Sequence, residues 1–188
     1  MPQQRADRPA SDFYPTPDHV TEALLSRERF NGTVWEPACG AGDMSRVIEA
    51  HGYDVRSTDL FNHGYGAAGI DFTTQTVLDP LIGAVVTNPP FRMAEEFVQT
   101  CFRLEVPKFA MFQRLSFIEG KGRYARIFSD RPPSRIWAFV ERVTLGPAGG
   151  GDGTRSKSGF MAFAWYVWDG AGTLDEGQKS SELRWIEP

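Results

Sequence analysis

Cysteine and histidine are scarce in this chain: Cys39, Cys101 and three histidines among 188 residues. Two cysteines without a CxxC spacing make no disulfide framework, so a reduced, cytoplasmic setting is expected. The scattered histidines complete no metal-ligand spacing, and no metal site is expected. Long apolar runs are missing too. The stretch Phe160 to Val167 is among the longest and far too short to cross a bilayer, so no membrane association is expected. Residues 1–11 are polar, with Arg5, Asp7 and Arg8, and read as a disordered lead rather than a secretory leader. Internal repeats and low-complexity linkers are also lacking. What remains, residues 12–188, is expected to be one domain with a real core, leaving no room for a second of ordinary size.

The net charge is −4, but it is unevenly spread. Between Arg92 and Lys157 twelve Lys/Arg stand against seven Asp/Glu, a local +5, while the remainder carries −9. Such polarisation can give an acidic protein one basic face, and the same counts fit ordinary solvated charges.

The pattern of elements is a helix, then strands alternating with helices, then two long strands. Thr16 can cap the first helix, with Pro17 in its first turn and Asp18 at the positive end of its dipole. Val20, Ala23 and Leu24 form its apolar face, and Asn31-Gly32 stops it. Val34-Trp35 starts a buried strand, and Met44, Val47 and Ile48 are the inward face of a second helix. Further strands are predicted at Tyr53 to Leu60, Gly69-Ile70, Leu81 to Val86 and Lys108 to Phe117. Arg92 to Arg103 and the basic stretch Lys121 to Phe128 read as helices. Arg135 to Leu145 and Ser158 to Asp169 make an antiparallel pair across a glycine-rich loop. The alternation predicts an α/β, doubly wound, mostly parallel sheet.

In such sheets ligands sit beyond the carboxyl ends of the strands, and the chemistry-bearing residues fall there. Glu36 to Asp43, Asp59, Asp71-Phe72 and Asn88 to Phe91 each end a predicted strand. The turn Glu36-Pro37-Ala38-Cys39-Gly40-Ala41-Gly42 carries glycines that let backbone approach a ligand, yet it has neither GxGxxG nor GK[ST] spacing. A carboxylate at Glu36 would repel a pyrophosphate and suits a cationic ligand, such as the amino group of a methionine moiety. Asp59 can accept both hydroxyls of a ribose, a charged hydrogen bond worth roughly 1.5–3 kcal/mol; a turn-capping aspartate is the plainer reading. Asn88-Pro89-Pro90-Phe91 is the sharpest feature. Its prolines stiffen the backbone, Asn88 and Pro89 offer carbonyl acceptors, and Phe91 offers an aromatic face. Together they can grip an exocyclic amine and stack its base. Arg92, Arg114, Lys121, Arg123, Arg126, Arg155 and Lys157 are candidates for phosphate contacts. Cys39 reads as a packing residue, not a reactive thiol. Phe160, Phe163, Trp165 and Tyr166 read as sheet core.

In this order the motifs resemble those of class I S-adenosylmethionine (SAM)-dependent DNA adenine-N6 methyltransferases, over Phe13 to Asp169. Tyr14-Pro15-Thr16-Pro17 is similar to their N-terminal cofactor-contacting motif, and Glu36 to Asp43 to their SAM-binding loop. Asp59, followed by Leu60, is similar to the ribose-binding acid, Asp71-Phe72 to the pair flanking the cofactor adenine, and Asn88 to Phe91 to the catalytic tetrapeptide. The stretches Gln113 to Gly120 and Ala164 to Trp168 are similar to small bacteriophage- and prophage-borne members.

The resemblance implies a Rossmann-like class I methyltransferase fold, a seven-stranded, mostly parallel sheet with a C-terminal antiparallel hairpin. It implies SAM as cofactor and nucleic acid, DNA first, as partner, in a bacterial or phage-infected cytoplasm. Methyl transfer to adenine N6 would be direct, with Asn88 and Pro89 accepting the hydrogens of the amine. Larger members carry a target-recognition domain and nothing comparable fits here, so low sequence stringency is expected; an outside recognition partner or a homo-oligomer stays open. RNA-amino and protein-glutamine methyltransferases share the tetrapeptide pattern and are the nearest alternatives, with a non-catalytic SAM- or nucleic-acid-binding module as the third.

Overall fold

Successive strand residues face opposite cores, which explains why this chain forms a sheet covered on both sides. In the computed structural model, which describes residues 14–145, 161–170 and 180–187, Val34, Ala84, Val86, Ala110, Phe112, Trp165 and Val167 point into one core. Their neighbours Trp35, Val85, Phe109, Met111, Ala164, Tyr166 and Trp168 point into a second core on the opposite face. A strand buried on both sides needs apolar residues at every position, which is why these segments read as continuous apolar runs.

The strands are β1 (Thr33–Glu36), β2 (Val55–Asp59), β3 (Ala67–Ala68), β4 (Ile82–Thr87), β5 (Lys108–Arg114), β6 (Arg135–Phe139), β7 (Phe163–Asp169) and β8 (Glu182–Ile186). They lie in the order 3-2-1-4-5-7-6-8, and only β7 runs against the rest. Helices α1 (Asp18–Arg27) and α2 (Asp43–Ala50) supply Val20, Leu24, Met44 and Ile48 to the first core. Helix α3 (Ala94–Arg103) supplies Phe97, Val98 and Cys101 to the second. After β1 the chain moves outward through β2 and β3, then returns to place β4 on the other side of β1. That reversal opens a crevice between the carboxyl ends of β1 and β4. Among the described residues no helix is long and apolar enough to cross a membrane.

The doubly wound sheet and the antiparallel β6–β7 pairing match the expectation, with several corrections. The described residues form eight strands rather than seven. β8 was missed because Glu182, Leu183, Arg184 and Trp185 are all exposed on an edge strand, which erases the alternation. The C-terminal antiparallel hairpin is present, with β7 lying between β5 and β6. The third strand is Ala67–Ala68, not Gly69-Ile70. β5 ends at Arg114 and gives way to a 3-10 turn over Leu115–Ile118, where a strand to Phe117 was expected. β6 ends at Phe139 instead of Leu145. The basic stretch 121–128 is one short turn of α-helix followed by a wider π-helical turn over Tyr124–Phe128. Helix α1 stops at Arg27, before Asn31-Gly32, because Glu28 adopts an extended backbone and buries its carboxylate. Thr16 does not cap α1; Pro17 holds the capping position and no side chain bonds there. Ser158, Phe160 and the glycine-rich loop lie outside the described residues.

Candidate active site

A cleft of about 390 Å³ lies at the carboxyl ends of β1, β2 and β4, within the size range of small-molecule sites. Tyr14, Thr16, Glu36, Pro37, Ala38, Cys39, Asp59, Leu60, Asp71, Phe72 and Asn88 line it, as do Pro89, Pro90, Phe91 and Arg92. Pro15, Gly40 and Gly42, also candidates for cofactor contact, do not. The walls also include Asp43, the last residue of the glycine-bearing loop, and Met44, Phe61, His63, Ile70, Met93 and Phe97, which the sequence does not mark as contacts. His63 carried a faint signal in the sequence, since it follows the strand-ending Asp59 by four residues. The ring nitrogen Nε2 is 3.9 Å from Asp59 Oδ1.

Carboxylates dominate this cleft: Glu36, Asp43, Asp59 and Asp71 against Arg92 and His63. Glu36 ends β1 and is only 2% exposed. Burial pushes its pKa well above the usual carboxylate value, and the neighbouring Asp43 and Asp59 add to the rise. The Ser45 hydroxyl of α2 donates to Glu36 and opposes that shift. No Lys, Arg or His pairs with Glu36 among the described residues. A buried acid in this state gains from a cation placed beside it.

Asp59 works first as a turn anchor. Its Oδ2 accepts from the Gly40 N–H at 2.9 Å and its Oδ1 from the Phe61 N–H at 2.8 Å. Each oxygen keeps a second lone pair for a ligand. Asp71 likewise caps a 3-10 turn, accepting from the Thr73 N–H and hydroxyl, while Phe72 packs edge-on against Trp35. Gly42 has a structural reason to be glycine. Its φ is +87°, and a Cβ there would lie 2.5 Å from the Tyr65 ring. Burial and the acidic neighbours Glu36 and Asp59 push the Cys39 thiol up to about 12, so it stays protonated and unreactive.

The tetrapeptide follows β4. Asn88 Nδ2 donates to Thr16 Oγ1 at 3.0 Å. The Pro89 carbonyl accepts a long 3.4 Å bond from the buried Gln113 of β5. Phe91 has three neighbours: the Arg114 guanidinium 4.6 Å above its ring, Tyr14 near-parallel at 6.2 Å, and Phe163 at 5.9 Å. Phe163, Trp165 and Tyr166 are buried in the sheet, as expected.

Several cations of the basic stretch are engaged within the chain among the described residues. Arg126 forms a two-bonded pair with Glu95. Arg123 donates to the carbonyls of Phe117 and Glu119, bracing its own loop. Lys108 and Arg135 turn toward Glu28 and Asp169 at the far end of the sheet. Arg92 and Lys121 are exposed. The Arg114 carbonyl accepts from the Tyr166 hydroxyl at 3.1 Å, while its side-chain Nε is buried without a partner among the described residues. Arg155 and Lys157 lie outside the described residues.

Strand order and crevice together define the Rossmann-like fold of the class I methyltransferases. No protein-family model and no curated protein matches this chain. Among solved structures it is similar to a modification subunit of a putative type I restriction enzyme from Vibrio vulnificus, with a TM-score of 0.60 and 14% identity. That match covers 93% of this chain and 50% of the subunit, so the chain spans half of its length. A putative RNA methyltransferase from Pyrococcus horikoshii gives 0.58 at 14% identity, covering 85% of this chain and 88% of its own. The 23S rRNA methyltransferase ErmE gives 0.57 at 18%, covering 88% and 73%. At these identities the likeness is one of fold.

Proposed function

We propose that this chain binds SAM in the acidic cleft and methylates the exocyclic N6 amino group of adenine in DNA. One observation carries the reading: a single cleft holds the two carbonyl acceptors of Asn88-Pro89 beside a buried glutamate with no cationic partner. The donor set fits the cofactor, because Glu36, Asp43 and Asp59 suit its cationic groups, Asp59 keeps lone pairs for ribose hydroxyls, and Ile70 and Phe72 offer apolar surface. When bound there, SAM supplies an electrophilic methyl group.

The amino nitrogen of adenine is a poor nucleophile because its lone pair is delocalised into the ring. Asn88 and Pro89 accept hydrogen bonds from its two N–H groups, draw it toward a tetrahedral form and stabilise positive charge that develops on it, and once methylated the nitrogen would lose one of those protons to solvent. An adenine in duplex must first be flipped out, at a cost of a few kcal/mol, part of which stacking on Phe91 offsets. Arg92, Arg114 and Lys121 hold the phosphates, with Arg155 and Lys157 as further candidates. Such contacts give weak, salt-dependent binding with little sequence preference, in a cytoplasmic setting.

The test is transfer of tritiated SAM to duplex DNA, single-stranded DNA and RNA, followed by nucleoside digestion. N6-methyladenine from DNA is expected. Asn88→Ala keeps cofactor affinity and lowers turnover roughly a hundred- to a thousandfold, and Asn88→Asp retains more activity than Ala. Label found only in RNA, or on protein glutamine, would replace the substrate assignment, and no transfer to any of these would leave a binding module.

A further inference from the structure

We infer that Thr16 is a positioning residue for Asn88: it holds the amide with its carbonyl oxygen toward the cleft, so that the site takes a target group bearing N–H and rejects a bare carbonyl. The inference rests on the reading of Asn88 as the acceptor for the target amine.

An asparagine side chain has two faces, an acceptor oxygen and a two-donor nitrogen, and half a turn about its last torsion exchanges them. The other acceptor has no such freedom. The Pro89 carbonyl is backbone, its direction set by the stiff Pro89-Pro90 link, and its bond from Gln113 is long at 3.4 Å. The chemistry of this wall therefore hangs on one torsion. Thr16 stands 72 residues away in sequence, is buried, and accepts the Asn88 Nδ2–H at 3.0 Å. With the nitrogen engaged there, the planar amide turns Oδ1 away from Thr16. The hydroxyl is available for this because α1 starts with no side-chain cap, although a threonine at a helix entry ordinarily serves as one. The same short segment reaches the other end of the tetrapeptide, where Tyr14 lies 6.2 Å from Phe91. A reversed amide would present N–H to the N–H of the target amine and suit a carbonyl instead.

Thr16→Val removes the hydroxyl with little change of shape, and Thr16→Ser keeps it. The first readout needs no activity: hydrogen exchange of the Asn88 side-chain amide by NMR in the cofactor-free protein, its signal assigned by its loss in Asn88→Ala. Protection is expected in the wild type and Thr16→Ser, and its loss in Thr16→Val. The second readout is kinetic. Thr16→Val lowers kcat about three- to tenfold, as one neutral hydrogen bond allows, and Thr16→Ser restores it. The third uses Asn88→Asp, whose carboxylate has no amide to turn; there Thr16→Val costs little. An unprotected Asn88 amide in the wild type, or an equal loss of kcat in the Asn88 and Asp backgrounds, overturns the inference. A wild type that methylates no amine overturns the proposed function instead, while amide exchange still decides the orientation.

Discussion

Two glutamates, eight residues apart, are buried almost equally and behave in opposite ways. Glu28, 4% exposed, sits at the amino end of the parallel strands; Glu36, 2% exposed, sits at the carboxyl end. Burial alone would raise the pKa of Glu28, but hydrogen bonds from Arg135, Lys108 and Trp137 outweigh it and hold the carboxyl below its usual value. Glu36 has one hydroxyl donor and two acidic neighbours, and its value rises. A buried carboxylate completed within the chain is structure; one left incomplete is a place for something the chain lacks. The contrast supports the proposed cofactor site independently of any motif.

The largest effect in this comparison belongs to Glu28. It ties the first residues of β5 and β6 to the end of α1, with Lys108 Nζ at 2.7 Å, Arg135 Nε at 2.6 Å and Trp137 Nε1 at 2.8 Å. Glu28→Ala leaves Trp137 Nε1 without its acceptor and Lys108 and Arg135 with Asp169 alone, and should destabilise the fold by about 3 kcal/mol in chemical denaturation. A loss under about 1 kcal/mol would put this cluster with ordinary surface pairs and dissolve the contrast.

Glu36→Gln should act the other way round. It removes the charge offered to the cofactor, so calorimetric SAM affinity falls about ten- to a hundredfold, the range of one charged hydrogen bond. The cofactor-free protein meanwhile melts higher at neutral pH, because an amide is less costly to bury than a carboxylate without a cation. Unchanged affinity would remove Glu36 from the cofactor site.

How far these roles can be read from sequence follows from where their partners come from. Glu36, Asp59 and Asn88 were legible because each closes a strand, and a doubly wound sheet brings strand ends to one crevice. Glu28 was not, since its partners lie 80, 107 and 109 residues away, across pairings no local pattern reveals. Arg126 and Arg123 read as a basic surface for the same reason; Glu95, 31 residues distant, neutralises one, and loop carbonyls hold the other. Thr16 was read as a cap because local rules favour that role, and a long-range partner took the hydroxyl instead. β8 lacked any signal, being an edge whose polar and apolar residues are exposed alike.

Asp59 stands between the two glutamates, anchored to backbone yet open to the cleft, and its effect should be intermediate. Asp59→Ala should weaken SAM binding about tenfold. Because it also frees the Gly40 and Phe61 N–H groups, part of that loss is a loosened turn. Asp59→Asn keeps one acceptor for the turn and separates the two contributions. Wild-type affinity in both variants would exclude a ribose contact.

The subtlest test compares the pH dependence of folding stability. The folded pKa of Glu28 lies below the ordinary value of 4.5, so the unfolded state binds the extra proton, and Glu28 adds stability above that value that is lost as pH falls through its folded pKa. For Glu36 the folded value lies above 4.5, and the folded state holds the extra proton. Stability is then lost as pH rises from 4.5 through the raised value. Measured by denaturation of the cofactor-free protein over about pH 4 to 8, Glu36→Gln should gain on the wild type steadily as pH rises. Glu28→Gln should fall behind over the acidic part of the same range and then run parallel. Bound cofactor should reverse the Glu36 slope, because a cation beside the carboxylate favours its ionised form, and binding should release a proton in the wild type but not in Glu36→Gln. Calorimetry in buffers of different ionisation enthalpy reads that proton directly. If Glu36→Gln tracks the wild type at every pH and the proton count is zero in both, Glu36 is already ionised in the empty cleft, and its likeness to Glu28 would be greater than the surroundings of the two carboxylates imply.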